Sequence, residues 1–259
     1  MQINTALLTG RGSEVIFSSA ILLVEGPGDR LYFERLRRRL AGVVPAHILG
    51  AMSVLDVGGK EQFAPWVRLL EGFSNRATGE RPISSLVASD SGDAVASTLR
   101  GLNDAGITVP AEIRAAAQRI PQALQDGHLV DASDVATKTI AANELSLDGR
   151  FGMHFVPVDL EYSALAAAKK TSARSLASEF GISAATPEAL MAALGSKGAG
   201  ARPSSDAKAP WMRERIATTL PWSEISIGVK NLLWHWVVLA AAQLKTELSE
   251  LSIWSLEGH

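Results

Sequence analysis

The sequence predicts an α/β fold, in which helices flank a parallel sheet, followed by an α-helical region. Three observations predict this class. Short apolar runs rich in branched residues alternate with helical patterns up to residue 90, each run ends at a turn, and only helical patterns occur after residue 162. Strands separated in this way pair in parallel through right-handed crossovers. With 259 residues, the chain is long enough for one large domain or two smaller ones.

The first strand is predicted at residues 20–25 (AILLVE), where length and branched side chains indicate burial on both faces. The turn at 26–29 (GPGD) follows, and Phe33, Leu36 and Leu40 then recur at helical spacing. Residues 53–57 and 83–89 predict the second and third strands, with an amphipathic helix between them. These elements form a βαβαβ unit.

The later part of the chain is mainly helical. Residues 94–145 are Ala-rich, a fourth strand is predicted at 151–158, and residues 195–210 form a Gly-, Ser- and Pro-rich linker. Helices are predicted at 164–170, 173–180, 187–194, 210–220 and 225–248. We therefore expect an α/β domain at 13–161 with a helical insertion at about 95–145, and a helical domain at 162–259 whose last helix packs back on the core.

Composition excludes several classes of protein. The absence of cysteine excludes disulfides, thiolate metal sites and a cysteine nucleophile. A net charge of −2 excludes a globally basic protein, so nucleic-acid binding would depend on local patches or metal ions. The longest apolar stretch, 231–244, is shorter than the ~20 residues of a membrane span, and no signal peptide is evident. We expect a soluble, cytoplasmic protein without a membrane partner.

Acidic residues follow three of the predicted strands. Because the carboxyl ends of parallel strands meet at one edge, these residues should converge there. Clustered carboxylates raise one another's pKa, and a divalent cation such as Mg²⁺ or Mn²⁺ removes that cost. Two such ions, ~3.5–4 Å apart, can hydrolyse a phosphodiester. The three pairs are Glu25 with Asp29, Asp90 with Asp93, and Asp159 with Glu161.

Each pair has a simpler interpretation when taken alone. Asp29 could cap a helix, Asp90 and Asp93 could form a turn, and Asp159 and Glu161 could open a helix. Glu25 is harder to explain, since a charge that ends a buried strand is costly without a partner. Taken together, the three pairs favour a metal site.

These residues also resemble a known family. Residues 22–29 (LLVEGPGD) resemble the first acidic motif of the Toprim fold, which occurs in topoisomerases, primases and related nucleases. Residues 90–92 (DSG) lie at the position of the second motif, Asp-x-Asp, with Gly92 where the second Asp is expected. Residues 13–17, 56–60 and 159–161 are similar to the overcoming-lysogenization-defect (OLD) nucleases.

The resemblance implies a Toprim catalytic domain at 13–161 and a metal-dependent DNA endonuclease that uses two Mg²⁺ or Mn²⁺ ions. It implies a C-terminal nuclease part of a longer ATPase–nuclease, whose partners are DNA and an N-terminal ABC-type ATPase domain, and it allows a homo-oligomer through the full-length protein. This chain itself has no phosphate-binding Gly-x-x-x-x-Gly-Lys-Ser/Thr loop. Glu25 is the expected catalytic acid, and the expected metal ligands are Glu25, Asp29, Asp90, Asp159 and Glu161, with either Gly92 through its carbonyl or Asp93.

Family nucleases also draw a lysine from the helical part, to face the developing negative charge. We expect Lys208 in this role, with Lys197 and Lys60 as alternatives. Residues 197–215 are locally positive, with five basic side chains against two acids. The basic run of Arg35, Arg37, Arg38 and Arg39 is interpreted as a solvated helix face, with DNA contact as the second interpretation.

Two other functions remain open. One is a catalytically inactive Toprim module with a regulatory or assembly role. Gly92 suggests this because a metal site that has become inactive commonly lacks one of its ligands. Strand transfer would instead require a tyrosine nucleophile. The two tyrosines, Tyr32 and Tyr162, both lie at predicted helix starts.

Overall fold

The structure, a computed structural model, describes residues 18–76, 83–90, 93–104, 106–107, 111, 115, 151–156, 159–196, 209–246 and 248. Among these residues, four strands form a sheet in the order β2-β1-β3-β4, and every neighbouring pair is parallel. The strands are β1 (Ala20–Val24), β2 (Met52–Asp56), β3 (Ser84–Asp90) and β4 (Phe151–Val156). The predicted parallel α/β sheet is confirmed.

The described helices lie between and after the strands. They are α1 (Pro27–Arg39), α2 (Ala46–Gly50), α3 (Phe63–Arg76), α4 (Asp93–Asp104), α5 (Leu160–Leu165), α6 (Lys170–Phe180), α7 (Pro187–Ala193), α8 (Pro210–Thr219) and α9 (Ile227–Gln243). Short 3₁₀ turns form at Lys60–Gln62 and Trp222–Glu224.

Strand β1 is buried on both faces, and its alternating side chains enter two separate cores. Ile21 and Leu23 pack with apolar residues of α3 and α4. Leu22 and Val24 pack on the opposite face with residues of α1, α2 and α5 to α9. This two-sided burial explains why the strand is a continuous apolar run.

Helix α9 packs on the face of the sheet that carries Leu22 and Val24. Trp236 is fully buried in this helix and donates its indole N–H to the carbonyl oxygen of Ala20 in β1, at 3.1 Å. His235, also buried, lies against Gly152 of β4, where an added Cβ would come within 3.1 Å of the imidazole Cε1. The division into a Toprim domain and a helical domain stays a prediction. No helix in the described ranges is long and apolar enough to cross a membrane.

Several helix boundaries differ from those expected: the helix expected at 164–170 ends at Leu165, the next begins at Lys170 instead of 173, and the last ends at Gln243 instead of 248. The helix expected at 164–170 begins earlier, at Leu160, because Asp159 caps it by accepting the Tyr162 N–H at 2.9 Å. The last helix begins at Ile227 because Ser226 accepts the Val229 N–H. Most of the expected helical insertion at 95–145 lies outside the described residues.

The arginines of α1 are not a simple solvated face, and for three of them that interpretation was wrong. Arg35 pairs with Glu214 of α8 at 2.6 Å. Arg37 donates to the carbonyls of Leu49 and Met52, both at 2.8 Å. Arg39 donates to two carbonyls at the end of α8, Ala217 at 2.7 Å and Leu220 at 2.8 Å. These side chains bind neighbouring elements, and two of them attach α8 to α1.

Tyr32 is no candidate nucleophile. Its ring is fully buried in α1, where burial raises the pKa of the hydroxyl above its usual range, and it packs edge-on against Phe33. A nucleophilic tyrosine must reach its substrate, and this one is enclosed by the core.

Candidate active site

Three carboxylates meet at the carboxyl edge of the sheet. Glu25 directly follows β1, Asp29 lies in the first turn of α1, and Asp90 is the last residue of β3. They line one small cleft that is open to solvent. Its apolar walls are formed by Val24, Phe33, Ala88, Val156 and Leu160. The parallel sheet thus brings together acids that are far apart in sequence, as expected.

The backbone of Glu25 is held by the turn after β2. Gly58 and Gly59 donate their N–H groups to the Glu25 carbonyl at 3.2 and 2.9 Å, and their φ values are +83° and +128°. Such positive φ values suit glycine and strain other residues. The two glycines of the 56–60 segment therefore fix where Glu25 leaves the sheet.

Asp159 and Glu161 lie at the start of α5, and each is only 3% exposed. Besides capping α5, Asp159 accepts the hydroxyl of Ser196, whose Oγ lies 2.9 Å from Oδ1 and 3.2 Å from Oδ2. The capping interpretation of Asp159 is confirmed, and its charge contributes to the raised pKa of Asp90. The hydroxyl and the helix start fix this carboxylate in one orientation.

Arg213 of α8 reaches two of the acids. Its Nη1 donates to Oδ1 of Asp29, its Nη2 donates to Oε1 of Glu161, and its Nε lies 2.9 Å from that same Glu161 oxygen. The Arg213 side chain is 18% exposed. One guanidinium therefore bridges carboxylates from two different helices.

Gly28 makes room for this arginine. A Cβ at position 28 would lie 2.8 Å from both Cδ and Nη1 of Arg213. The absence of a side chain at the second glycine of the 26–29 turn therefore leaves space for Arg213 in its present position.

The acids act strongly on one another. Burial, followed by the charges of Asp29, Asp159, Glu25 and Glu161, raises the pKa of Asp90 well above its ordinary value. Burial also raises the pKa of Asp29 to about 6, although the Arg213 charge opposes this shift. Burial tends to lower the pKa of Arg213, but the Asp29 and Glu161 carboxylates reverse the effect and raise it. The cluster therefore favours an additional cation.

Arg213 was not singled out from the sequence, and the expectation of a catalytic Lys208, with Lys197 or Lys60 as alternatives, stays a prediction. A signal for Arg213 existed. Pro210 is the first residue of α8, so Arg213 lies close to the helix N-terminus, where a positive charge is unfavourable without an acidic partner. Lys60 begins a 3₁₀ turn. The remaining expected groups, Gly92, the Asp93 side chain, Lys197 and Lys208, lie outside the described residues.

The donor set fits a hard divalent cation, since every acid offers carboxylate oxygens and burial makes their uncompensated charges costly. Within the described part of the chain, however, no three acidic or histidine side chains stand in a ready-made metal-binding arrangement. Arg213 instead holds Asp29 and Glu161.

Comparisons with known proteins agree with this architecture. Residues 16–78 match the family model described as the Toprim domain of overcoming-lysogenization-defect-like proteins. These residues carry an OLD-like Toprim domain. It contains Glu25 and Asp29 and the 56–60 turn. The resemblance seen in the sequence is confirmed.

One solved structure has a similar fold. It is the C-terminal region of the OLD protein from Xanthomonas campestris pv. campestris, with a TM-score of 0.50 and 17% identity over 90% of this chain and 98% of that one. This likeness concerns the fold, and it confirms the parallel α/β sheet with its helical region. No curated protein matches the chain.

Proposed function

We propose that the chain is a metal-dependent DNA endonuclease that hydrolyses phosphodiester bonds with two Mg²⁺ or Mn²⁺ ions. The observation that carries the proposal is the convergence of Glu25, Asp29 and Asp90 in one cleft, with the Asp159 and Glu161 charges close enough to raise the pKa of Asp90. Perturbed carboxylates in a cleft are typical of functional sites. The OLD-like Toprim domain supports a nuclease-type module.

In this proposal the metal ligands are Glu25, Asp29, Asp90 and Glu161, with Gly92 or Asp93 completing the second motif. Asp159 holds the start of α5 in place and adds negative charge. When bound, divalent ions would supply activation of the attacking water and stabilisation of the leaving oxygen.

We assign to Arg213 the role that the sequence suggested for Lys208. A guanidinium presents several donors in a planar fork, which suits phosphate oxygens. Arg35 and Arg39 of α1 bind α8. These contacts hold the backbone of α8 in place and so position Arg213 beside the cleft. Its charge would stabilise the phosphorane-like transition state.

DNA is the proposed substrate, with little sequence specificity. An N-terminal ABC-type ATPase domain, a homo-oligomer of the full-length protein and a cytoplasmic location belong to the same proposal. Binding of DNA by a chain with a net charge of −2 would depend on the metal ions and on local basic residues.

The experiment is plasmid cleavage with Mg²⁺, Mn²⁺, Ca²⁺ or EDTA, comparing the unmodified chain with Glu25→Gln. We expect nicking and linearisation only with Mg²⁺ or Mn²⁺, and a loss of at least about 100-fold in Glu25→Gln. Glu34→Gln is the matched control, because Glu34 pairs with Arg30 on α1. Full activity of Glu25→Gln would refute the assignment.

An inactive Toprim module is the second candidate, motivated by Gly92 and by the lack of a ready-made metal-ligand group among the described residues. Isothermal titration with Mn²⁺ separates the two. Binding that Glu25→Gln abolishes supports the nuclease. No binding at millimolar Mn²⁺ supports the inactive module.

A further inference from the structure

Arg213 contacts two of the side chains that the proposed function uses as metal ligands. Its guanidinium takes Oδ1 of Asp29 and Oε1 of Glu161. Glu161 is almost completely buried, and the Arg213 side chain is largely so. A buried carboxylate without a counter-charge is costly, and so is a buried guanidinium. Arginine and acids therefore stabilise each other in this position.

A divalent cation and this guanidinium compete for the same oxygens. Both seek carboxylate lone pairs, and both supply the positive charge that the cluster favours. The two positive charges would also repel each other at such close range. The absence of a three-group metal arrangement in the described residues agrees with acids that are turned toward Arg213.

We propose that Arg213 is a resident counter-cation, which neutralises Asp29 and Glu161 while no metal is bound and leaves them when a divalent ion binds. The inference rests on the proposed function, since it needs a metal to bind at these acids. Once released, the side chain is available to a phosphate, so metal loading and the phosphate contact become successive states of one residue.

The exchange requires only the side chain to move. Helix α8 is held by contacts that do not involve Arg213: Arg35 pairs with Glu214, Arg39 binds the carbonyls of Ala217 and Leu220, and Arg215 pairs with Glu179. Substitution of Arg213 should therefore leave α8 in place.

The test measures Mn²⁺ affinity by isothermal titration, without DNA, for the unmodified chain, Arg213→Met, Arg213→Lys and Arg215→Met. Methionine keeps much of the length of arginine and removes the charge. Arg215 lies two residues further along α8 and pairs away from the cluster, so Arg215→Met is the matched control. A thermal melt of each variant in EDTA accompanies the titration.

We expect Arg213→Met to bind Mn²⁺ about tenfold more tightly than the unmodified chain, and to melt at a lower temperature in EDTA. Arg215→Met should change neither quantity. Arg213→Lys keeps a charge but loses the fork, so its affinity should lie between the two, and it serves if Arg213→Met does not fold.

Equal or weaker Mn²⁺ binding by folded Arg213→Met or Arg213→Lys would overturn the counter-cation while leaving the proposed nuclease intact. Mn²⁺ binding by no variant would overturn both. Binding by Arg213→Met alone would support the counter-cation in its strongest form.

Discussion

The Nε of Arg213 lies 2.9 Å from Oε1 of Glu161, although 52 residues separate them along the chain. This contact joins α8 to the start of α5 at the carboxyl edge of the sheet. It places a buried ion pair between the helical region and the acids of the candidate active site.

Glu161→Gln should destabilise the metal-free protein. The amide keeps the shape of the side chain but removes the charge that faces Arg213, so a buried guanidinium loses one of its two acidic partners. We expect the free energy of unfolding in EDTA to fall by about 3 kcal/mol. Urea denaturation measures it. Glu179→Gln removes an exposed pairing with Arg215 and should cost much less, so equal losses in both variants would contradict the prediction.

Asp90→Asn should have the opposite effect on stability. The pKa of Asp90 is raised by burial and by four neighbouring acids, so the ionised carboxylate is unfavourable in the fold. We expect a higher melting temperature in EDTA at pH 7, together with weaker Mn²⁺ binding. Thermal melts with and without Mn²⁺ measure both effects. A lower melting temperature in EDTA would show that the carboxylate stabilises the fold.

Gly28→Ala should displace Arg213, because the new Cβ would lie 2.8 Å from its Cδ and Nη1. Alanine normally stabilises a helix by about 1 kcal/mol relative to glycine, so a net loss would come from the displaced side chain. We expect the free energy of unfolding to fall in EDTA. Gly72→Ala in α3 is the control, since a Cβ there meets nothing within 4 Å, and it should stabilise the protein.

Protonation of His235 should oppose folding as the pH falls, whereas the raised pKa values of Asp29 and Asp90 act in the opposite direction. Burial lowers the pKa of this imidazole from 6.5 to about 4, so the folded protein favours the neutral ring. The stability that this provides is complete above pH 6.5 and is lost as the pH falls from there toward 4, by up to about 3 kcal/mol. His235→Gln isolates this contribution, because the variant's free energy of unfolding in urea should rise relative to that of the unmodified chain as the pH falls through this window. An unchanged pH profile would contradict the prediction.

The elements of the sheet could be predicted because their signals are local. Strand β1 is a continuous apolar run that ends at a Gly-Pro-Gly turn. The acids that follow the strands lie near one another because parallel strands end at the same edge of the sheet. Asp159 was harder to interpret, because one carboxylate both caps α5 and faces the acidic cluster.

Long-range contacts could not be predicted in this way. Arg213 and Asp29 are 184 residues apart, and the sequence around either residue does not predict their contact. Arg37 and Arg39 donate to backbone carbonyls, which carry no sequence signature. Their roles emerge only when the helices are packed together.

The unfavourable position of Asp90 also bears on how such a site would be lost over evolutionary time. Asp159 and Glu161 serve helix and ion-pair contacts, so a lineage that abandoned catalysis would still be selected to retain them. Selection for stability would not retain Asp90 in the same way, since a neutral residue at its position would relieve the repulsion between carboxylates. Genetic drift would therefore remove Asp90 first. Among related chains, we therefore expect replacements of Asp90 to precede those of Asp159 and Glu161 wherever the chemistry has been abandoned.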